Sequence, residues 1–112
     1  MPPTSFSWTD PTTNTDGTPI APGEITGYLI GIRPQSAPGS VPGVYTVTAA
    51  VASPTATTEL FSQLGAVLSP GTYAAAIQSV GPVNSAWSAE TMFTIAPPPP
   101  PVPNPPSGFT VV

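Results

Sequence analysis

Short segments of the chain alternate hydrophobic and polar residues, and prolines and glycines separate these segments. The clearest one follows Pro70 and Gly71, two residues that favour a tight turn. After the turn, Tyr73, Ala75 and Ile77 recur at every second position, so we expect them on one face of a strand. A tyrosine at the start of a strand, directly after such a turn, predicts a tyrosine corner, in which the ring packs inward and its hydroxyl bonds nearby backbone.

The same alternation predicts further short strands and no long helix. Phe6 and Trp8 share one face of the first strand, and Tyr45 is expected to align with Val47, Ala49 and Val51 on another. Strands at this short spacing, with turn signals between them, are typical of an antiparallel sandwich. The predicted strands cover residues 4–9, 25–33, 44–51, 55–60, 73–80 and 86–95.

One short segment has helical rather than strand spacing. Leu60 and Leu64 are four residues apart, which predicts one helical turn before Gly65. We expect its apolar side chains to cover the core.

Composition narrows the class of protein. The chain has 112 residues, enough for one domain, and its 19 prolines and 10 glycines disfavour helices. It has no cysteine or histidine, Arg33 is its one basic residue, and its net charge is −4. Binding to nucleic acid or to an anionic membrane needs several lysines or arginines, so neither partner is expected. No apolar run approaches a membrane span, and no signal-peptide pattern follows Met1.

No catalytic set is recognisable. Without histidine, cysteine or lysine a general base would have to be a carboxylate, and nothing in the sequence pairs the acids across a cleft. We therefore expect solvated surface roles for them and predict no catalytic residue, no cofactor and no metal. A loose calcium site near Asp10, Asp16 and Glu24 is an alternative, although a turn at Asp16 and Gly17 is the stronger interpretation. The acids are Asp10, Asp16, Glu24, Glu59 and Glu90.

Over residues 4–95 the chain resembles a fibronectin type III domain, an Ig-like antiparallel sandwich. Trp8 resembles the core tryptophan of the family's second strand, B, and the segment Leu-Ser-Pro-Gly-Thr-Tyr at 68–73 resembles its turn into strand F. Residues 19–28 resemble the approach to strand C, and Ser-Ala-Trp-Ser at 85–88 resembles the bulge that opens strand G. The resemblance implies that C, F and G share a sheet, so Arg33 and Trp87 are candidates for stacking, with simple packing of Trp87 as the alternative.

Two departures from the family pattern direct attention to the C-terminus. The connection before strand F, residues 60–67, is longer than usual, and the chain starts at strand B, without the family's first strand, A. Residues 97–106 form a proline-rich linker, and residues 107–112 resemble the proline-led strand A. The predicted organisation is a sandwich over 1–96, the linker, and a tail strand that completes its own or a neighbouring sandwich.

The tail supplies the candidate site. Phe109 and Val111 alternate with Gly108 and Thr110, as in a half-buried strand, and an open sheet edge would otherwise invite aggregation. We favour donation to a neighbouring subunit. A disordered tail and a proline-rich ligand for SH3-like grooves are the alternatives. The predicted partner-binding residues are Phe109, Thr110, Val111 and Val112.

These features predict a function in assembly. The first hypothesis is a non-enzymatic structural protein of a virus or phage particle, such as a capsid decoration, head-fibre or tail component. It would be located in the virion or outside the cell, and capsid or tail proteins or copies of itself would be its partners. An adhesive or carbohydrate-accessory module of a secreted bacterial protein is the alternative, and an enzyme ranks third.

Overall fold

The computed structural model describes residues 4–65 and 68–111, and the regular secondary structure of these residues is almost entirely β-strand. Predictions that concern Met1–Pro3, Ala66, Val67 and Val112 lie outside the described residues. One 3₁₀ turn, Phe61–Gln63, accompanies the strands. The strands are β1 (Ser5–Ser7), β2 (Gly27–Pro34), β3 (Val47–Val51), β4 (Thr58–Leu60), β5 (Gly71–Val80) and β6 (Thr91–Ile95).

The strands form two antiparallel sheets, which confirms the prediction of an all-β antiparallel fold. The larger sheet has the order β3-β2-β5-β6, and the smaller sheet pairs β1 with β4. In the larger sheet Ile32 lies opposite Val47 on one side and Ala75 on the other. The arrangement is compatible with a β-sandwich.

Both sheets contribute to one hydrophobic core. Ile30 and Ile32 of β2 are fully buried at its centre, with Ala75 beside them. From the smaller sheet, Phe6 and Trp8 pack against this cluster, as their predicted shared face requires. Burial of this apolar area is the main stabilising contribution that the described residues provide.

The last predicted strand is shorter than expected, and serine hydroxyls replace part of its hydrogen-bond ladder. Regular pairing with β5 starts only at Thr91. Before it, Ser85 Oγ accepts the N–H of Ser79 at 2.8 Å, and Ser88 Oγ accepts the N–H of Ile77 at 3.0 Å. These side-chain acceptors satisfy N–H groups of β5 that a continuous strand would otherwise pair.

The alignment predicted for Tyr45 is wrong. Val47, Ala49 and Val51 do face the core, but regular pairing starts at Val47, so the two-residue alternation does not extend back to Tyr45. The Tyr45 ring lies on the outer face of the larger sheet, over Gly31, where an added Cβ would meet the ring carbon Cγ at 2.5 Å. The absence of a side chain at Gly31 makes room for the ring.

The predicted helical turn is present, as a 3₁₀ turn that starts one residue later than Leu60. Leu64 and Phe61 pack in or against the core, as expected. Leu60 is 49% exposed and does not contribute to the core. Its backbone N–H donates to Gln63 Oε1 at 2.9 Å, which holds the turn closed.

The tyrosine corner is confirmed. The Tyr73 hydroxyl donates to the backbone oxygen of Ser69 at 2.6 Å, and its ring packs against the core and stacks on Phe93. The bond therefore fixes the turn that leads into β5.

Removal of the Tyr73 hydroxyl should destabilise the fold. We expect Tyr73→Phe to lower the free energy of unfolding by about 1 kcal/mol, because the ring stays in place and one hydrogen bond is lost. Urea denaturation followed by tryptophan fluorescence measures this. Ser69→Ala is the matched control, because it keeps the accepting carbonyl. Equal stability of Tyr73→Phe and the unmodified protein would contradict the role assigned to this bond.

Candidate functional site

The C-terminal tail belongs to neither sheet of its own chain. Residues 96–111 form no strand and are exposed throughout. Phe109 is 91% exposed and Val111 is 93% exposed. The described ranges contain every aromatic residue of the chain, namely two tryptophans, three tyrosines and four phenylalanines. Phe109 is the only one of them that is exposed. The donation predicted for residues 107–112 remains a prediction, and Val112 lies outside the described residues.

The tail projects from the sheets as an arm. The molecule measures 85 × 31 × 20 Å and has a radius of gyration of 20.6 Å. A compact domain of this length would have a radius of about 13 Å. The apolar residues of the tail are therefore held away from the core of their own chain.

The two sheets leave a groove open between β1 and β6. This groove encloses a cavity of about 290 Å³. Phe6 and Trp8 line one side, Thr91 and Phe93 line the other, and Ile30 lies in the floor. The lining is largely apolar, so water in the groove is poorly bound by its walls.

The backbone of β1 is paired on one side. Trp8 donates its N–H to Thr57 at 2.9 Å, and the N–H of Phe61 donates to Thr4 at 2.9 Å. Successive residues of a strand direct their backbone N–H and C=O groups to opposite edges. Those of Ser5 and Ser7 therefore point to the edge of β1 that faces away from β4. Within residues 4–65 and 68–111, no strand pairs with that edge.

A second cavity, of about 610 Å³, lies among loops next to β2 and β5. Unlike the groove, it is lined by amide side chains and by one carboxylate, that of Glu24. Residues that line it include Trp8, Asn14, Tyr28, Gln78 and Asn84.

The acids considered for calcium serve local structure instead. Asp16 Oδ1 accepts both the N–H and the hydroxyl of Thr18, which lowers the pKa of the Asp16 carboxyl and forms the predicted turn. Glu24 accepts from the N–H of Ala21 and from the Asn14 amide. Across the part of the chain that the structure describes, no three acidic side chains come close enough to hold a metal ion.

The one basic side chain is held in a network on the outer face of the larger sheet. Arg33 is 7% exposed and forms a two-pronged ion pair with Glu90, with nitrogen–oxygen distances of 2.9 and 2.6 Å. The Tyr45 hydroxyl donates to the same carboxylate at 2.9 Å. Trp87 packs against Tyr45, with ring centroids 4.7 Å apart, which agrees with simple packing rather than stacking on Arg33.

The expectation that every acid is solvated is therefore wrong for two of them. Glu90 is drawn into the network by the only cation of the chain. Glu59 lies in β4 directly opposite Phe6 and is 8% exposed. A strand places alternate residues on the inner face whatever their polarity, and Glu59 occupies such a position.

The stability contributed by the network should depend on pH. Hydrogen bonds from Arg33 are the main cause that lowers the pKa of Glu90 from 4.5 to about 2. Because the folded-state pKa lies below that of the unfolded chain, the stabilisation is complete above about pH 5 and is lost as the pH falls to about 2. We expect Glu90→Gln to be less stable than the unmodified protein at neutral pH, with a difference that shrinks over this interval. Thermal midpoints measured across it test this, and a constant difference would contradict it.

Comparisons with known proteins give no assignment: no protein-family model, no curated protein and no solved structure matches the chain. Among the described residues, we also find no helix with the length and apolarity that a membrane crossing requires. The candidate site therefore consists of the arm and the groove. Sequence reasoning singled out the tail by its alternation, but it did not find the groove, whose lining comes from five separate segments.

Proposed function

We propose that the protein is a non-enzymatic structural component of a virus or phage particle, a capsid decoration, head-fibre or tail component that acts through protein–protein contacts. The observation that carries this proposal is that one chain presents an exposed apolar tail and an open apolar groove. An exposed apolar segment, and a strand edge that no described residue pairs, are recognition features in assemblies and liabilities in an isolated protein.

We also propose that the two sheets form a fibronectin type III sandwich whose first strand position is filled by none of the described residues. The order β3-β2-β5-β6 corresponds to strands C′, C, F and G of that family, and the pair β1-β4 corresponds to B and E. The bond from Tyr73 to Ser69 and the serines before β6 support the same assignment. Domains of this kind occur on many particles, so this part of the argument is an analogy of fold.

The chemistry of the described residues favours contact over catalysis. Glu90 is occupied by Arg33, Asp16 closes a turn, and the apolar groove presents no pair of carboxylates. A proton-transfer role would need a free acid or base directed into a cavity. Glu24, which lines the second cavity, already accepts hydrogen bonds from a backbone N–H and from the Asn14 amide.

Composition supports a protein that must persist outside cells. Arg33 is the only residue after which trypsin-like proteases cleave; it is buried in β2 and is followed by Pro34. Folded chains should therefore resist such proteases almost completely.

Purified particles provide the direct test. Particles from the source that encodes the protein are banded in a density gradient, washed at high salt and examined by quantitative mass spectrometry and immunogold labelling. We expect the chain in the particle band at a fixed ratio to the major capsid protein. A soluble marker enzyme is the control. Recovery of the chain only with that marker would refute the proposal.

The amide side chains in the second cavity favour one second candidate, a glycan-binding module of a secreted protein. It is large enough for a sugar ring and presents amide groups from Asn14, Gln78 and Asn84. Titration of the full chain with an oligosaccharide panel tests this, and binding that Asn84→Ala weakens would support it. Trp8 and Tyr28, the aromatic residues in its lining, are half-buried and buried rather than exposed as a platform.

A further inference from the structure

We infer that the groove between β1 and β6 is the docking site for residues 107–111 of a second copy of this chain, which adds a strand beside β1. This inference rests on the proposed assembly function and names its partner, its site and its geometry. The acceptor edge, the apolar fit and the stiffness of the arm support it independently.

The acceptor edge offers backbone hydrogen bonds. Ser5 and Ser7 direct their N–H and C=O groups away from β4, toward the side on which the groove lies. An incoming strand pairs with these groups while its alternate side chains enter the groove. Main-chain bonds provide affinity in this mode, and pockets for alternate side chains provide selectivity.

The donor segment fits the apolar lining. Phe109 and Val111 lie two residues apart, so both point to the same face of an extended strand. That face meets Phe6 and Phe93, which line opposite sides of the groove. Thr110 then points outward with Ser5 and Ser7, and polar residues remain in water.

The arm disfavours a return to its own groove. Every residue from 96 to 105 precedes a proline, except Pro101 and Pro103. A residue before proline is restricted to extended conformations, and proline itself has φ fixed near −65°, so this stretch lacks a position suited to a reversal. Its ten residues span about 31 Å as polyproline II, which exceeds the ~23 Å of a seven-residue strand. The arm is therefore long enough to carry the tail beyond its own sandwich.

Donation between copies either propagates head-to-tail or closes as a reciprocal exchange between two copies. Each copy uses its tail as donor and its groove as acceptor, so the contact joins two different surfaces. Association should therefore increase with protein concentration. The experiment must exclude that the tail docks in the groove of its own chain.

Cysteine cross-linking tests the site directly, because the natural chain has no cysteine. Thr110→Cys is combined in the full chain with Ser5→Cys or with Ser7→Cys, the two possible registers. The control is Thr110→Cys with Thr58→Cys, since Thr58 lies opposite Ser7 in β4, one strand farther from the proposed donor. Adjacent strands lie about 4.8 Å apart, within reach of a disulfide, whereas two strand spacings exceed the ~7 Å limit.

Mild oxidation and non-reducing electrophoresis then give a readout for each arrangement. We expect cross-linked dimers, alone or in a ladder with larger species, from one of the two test pairs and at most background from the control pair. Cross-linked product only at monomer mass would show closure within one chain and overturn the proposal. A ladder from the control pair that equals the test pairs, or no cross-link in any pair, would overturn it as well.

Sedimentation velocity over a concentration series supplies a second test that needs no cysteine. The variant Phe109→Ser with Val111→Ser should lower the association constant at least tenfold. Val102→Ser should leave it unchanged, because Val102 is 88% exposed on the same arm but lies outside the donor segment. Equal behaviour of the two variants would refute the docking site. Recovery of the chain in purified particles is measured separately, so loss of self-association and failure of the particle assignment remain distinguishable.

Discussion

Replacement of Ile32 by alanine is expected to lower the free energy of unfolding by about 2–5 kcal/mol. Ile32 is 0% exposed and lies in β2, between Val47 and Ala75 of the neighbouring strands. Its truncation leaves a cavity between the sheets that the close-packed surroundings fill only in part. Since a small domain has a total stability of about 5–15 kcal/mol, this variant should unfold at a much lower denaturant concentration.

Graded substitutions separate cavity formation from a general response to mutation. Ile32→Val should cost only about 0.5–1.5 kcal/mol. Val83→Ala removes apolar atoms from a side chain that is 85% exposed and should stay within about 0.5 kcal/mol of the unmodified protein. Denaturant titrations with equal slopes give the comparison. If Ile32→Ala and Val83→Ala had the same midpoint, Ile32 would not be in the core.

Gly27→Ala is the second substitution with a large expected effect. An added Cβ at Gly27 would lie 2.2 Å from the backbone oxygen of Val51, at the end of β3. A side chain could rotate away, but here the obstacle is backbone, so β3 must shift relative to β2. Overpacking of this kind costs about 1–3 kcal/mol, and a backbone obstacle places the cost at the upper end of that range.

The neighbouring residue provides the matched control. Thr26→Ala changes an exposed side chain whose one hydrogen bond, to the oxygen of Val80, is 3.2 Å long. We expect at most about 1 kcal/mol from its loss. Thermal midpoints of the two variants, measured in the same buffer, test the difference. A larger effect at Thr26 than at Gly27 would contradict the close approach of β2 and β3.

Local pattern sufficed to predict the existence of the strands and the turn before β5, although β1, β3, β4 and β6 are shorter than predicted. The proline and glycine before Tyr73 fix a turn in almost any context, and alternation then assigns Ala75 and Ile77 to the core. The same reasoning places Phe6 and Trp8 inward. Such features depend on residues close in sequence, which is why the sequence determines them well.

Features that depend on distant residues could not be predicted in this way. Tyr45 precedes β3 and faces outward because Gly31 of β2 leaves space for its ring. Glu90 is drawn from solvent by Arg33, 57 residues earlier in the chain. A single cation in an acidic chain was a signal that some carboxylate would pair with it, but the sequence did not identify which one.

The groove depends partly on local sequence pattern and partly on contacts between distant residues. Its walls come from β1 and β6, which alternation located, but the opening depends on the distance between the two sheets. The sequence predicts a tail strand, but residues 107–111 form no strand within their own chain, and their donation to another copy stays a prediction. Phe109 differs from the other aromatic residues in being exposed.

The buried ion pair has a consequence for how copies of the chain approach each other. Since Arg33 is neutralised by Glu90, the net charge of −4 comes entirely from the other four acidic side chains. No other basic side chain compensates them. Two copies therefore repel at long range, and dissolved ions shorten that repulsion to within about 10 Å at 0.1 M salt. Added salt should consequently tighten self-association of this protein, the reverse of its effect on complexes that opposite charges hold together.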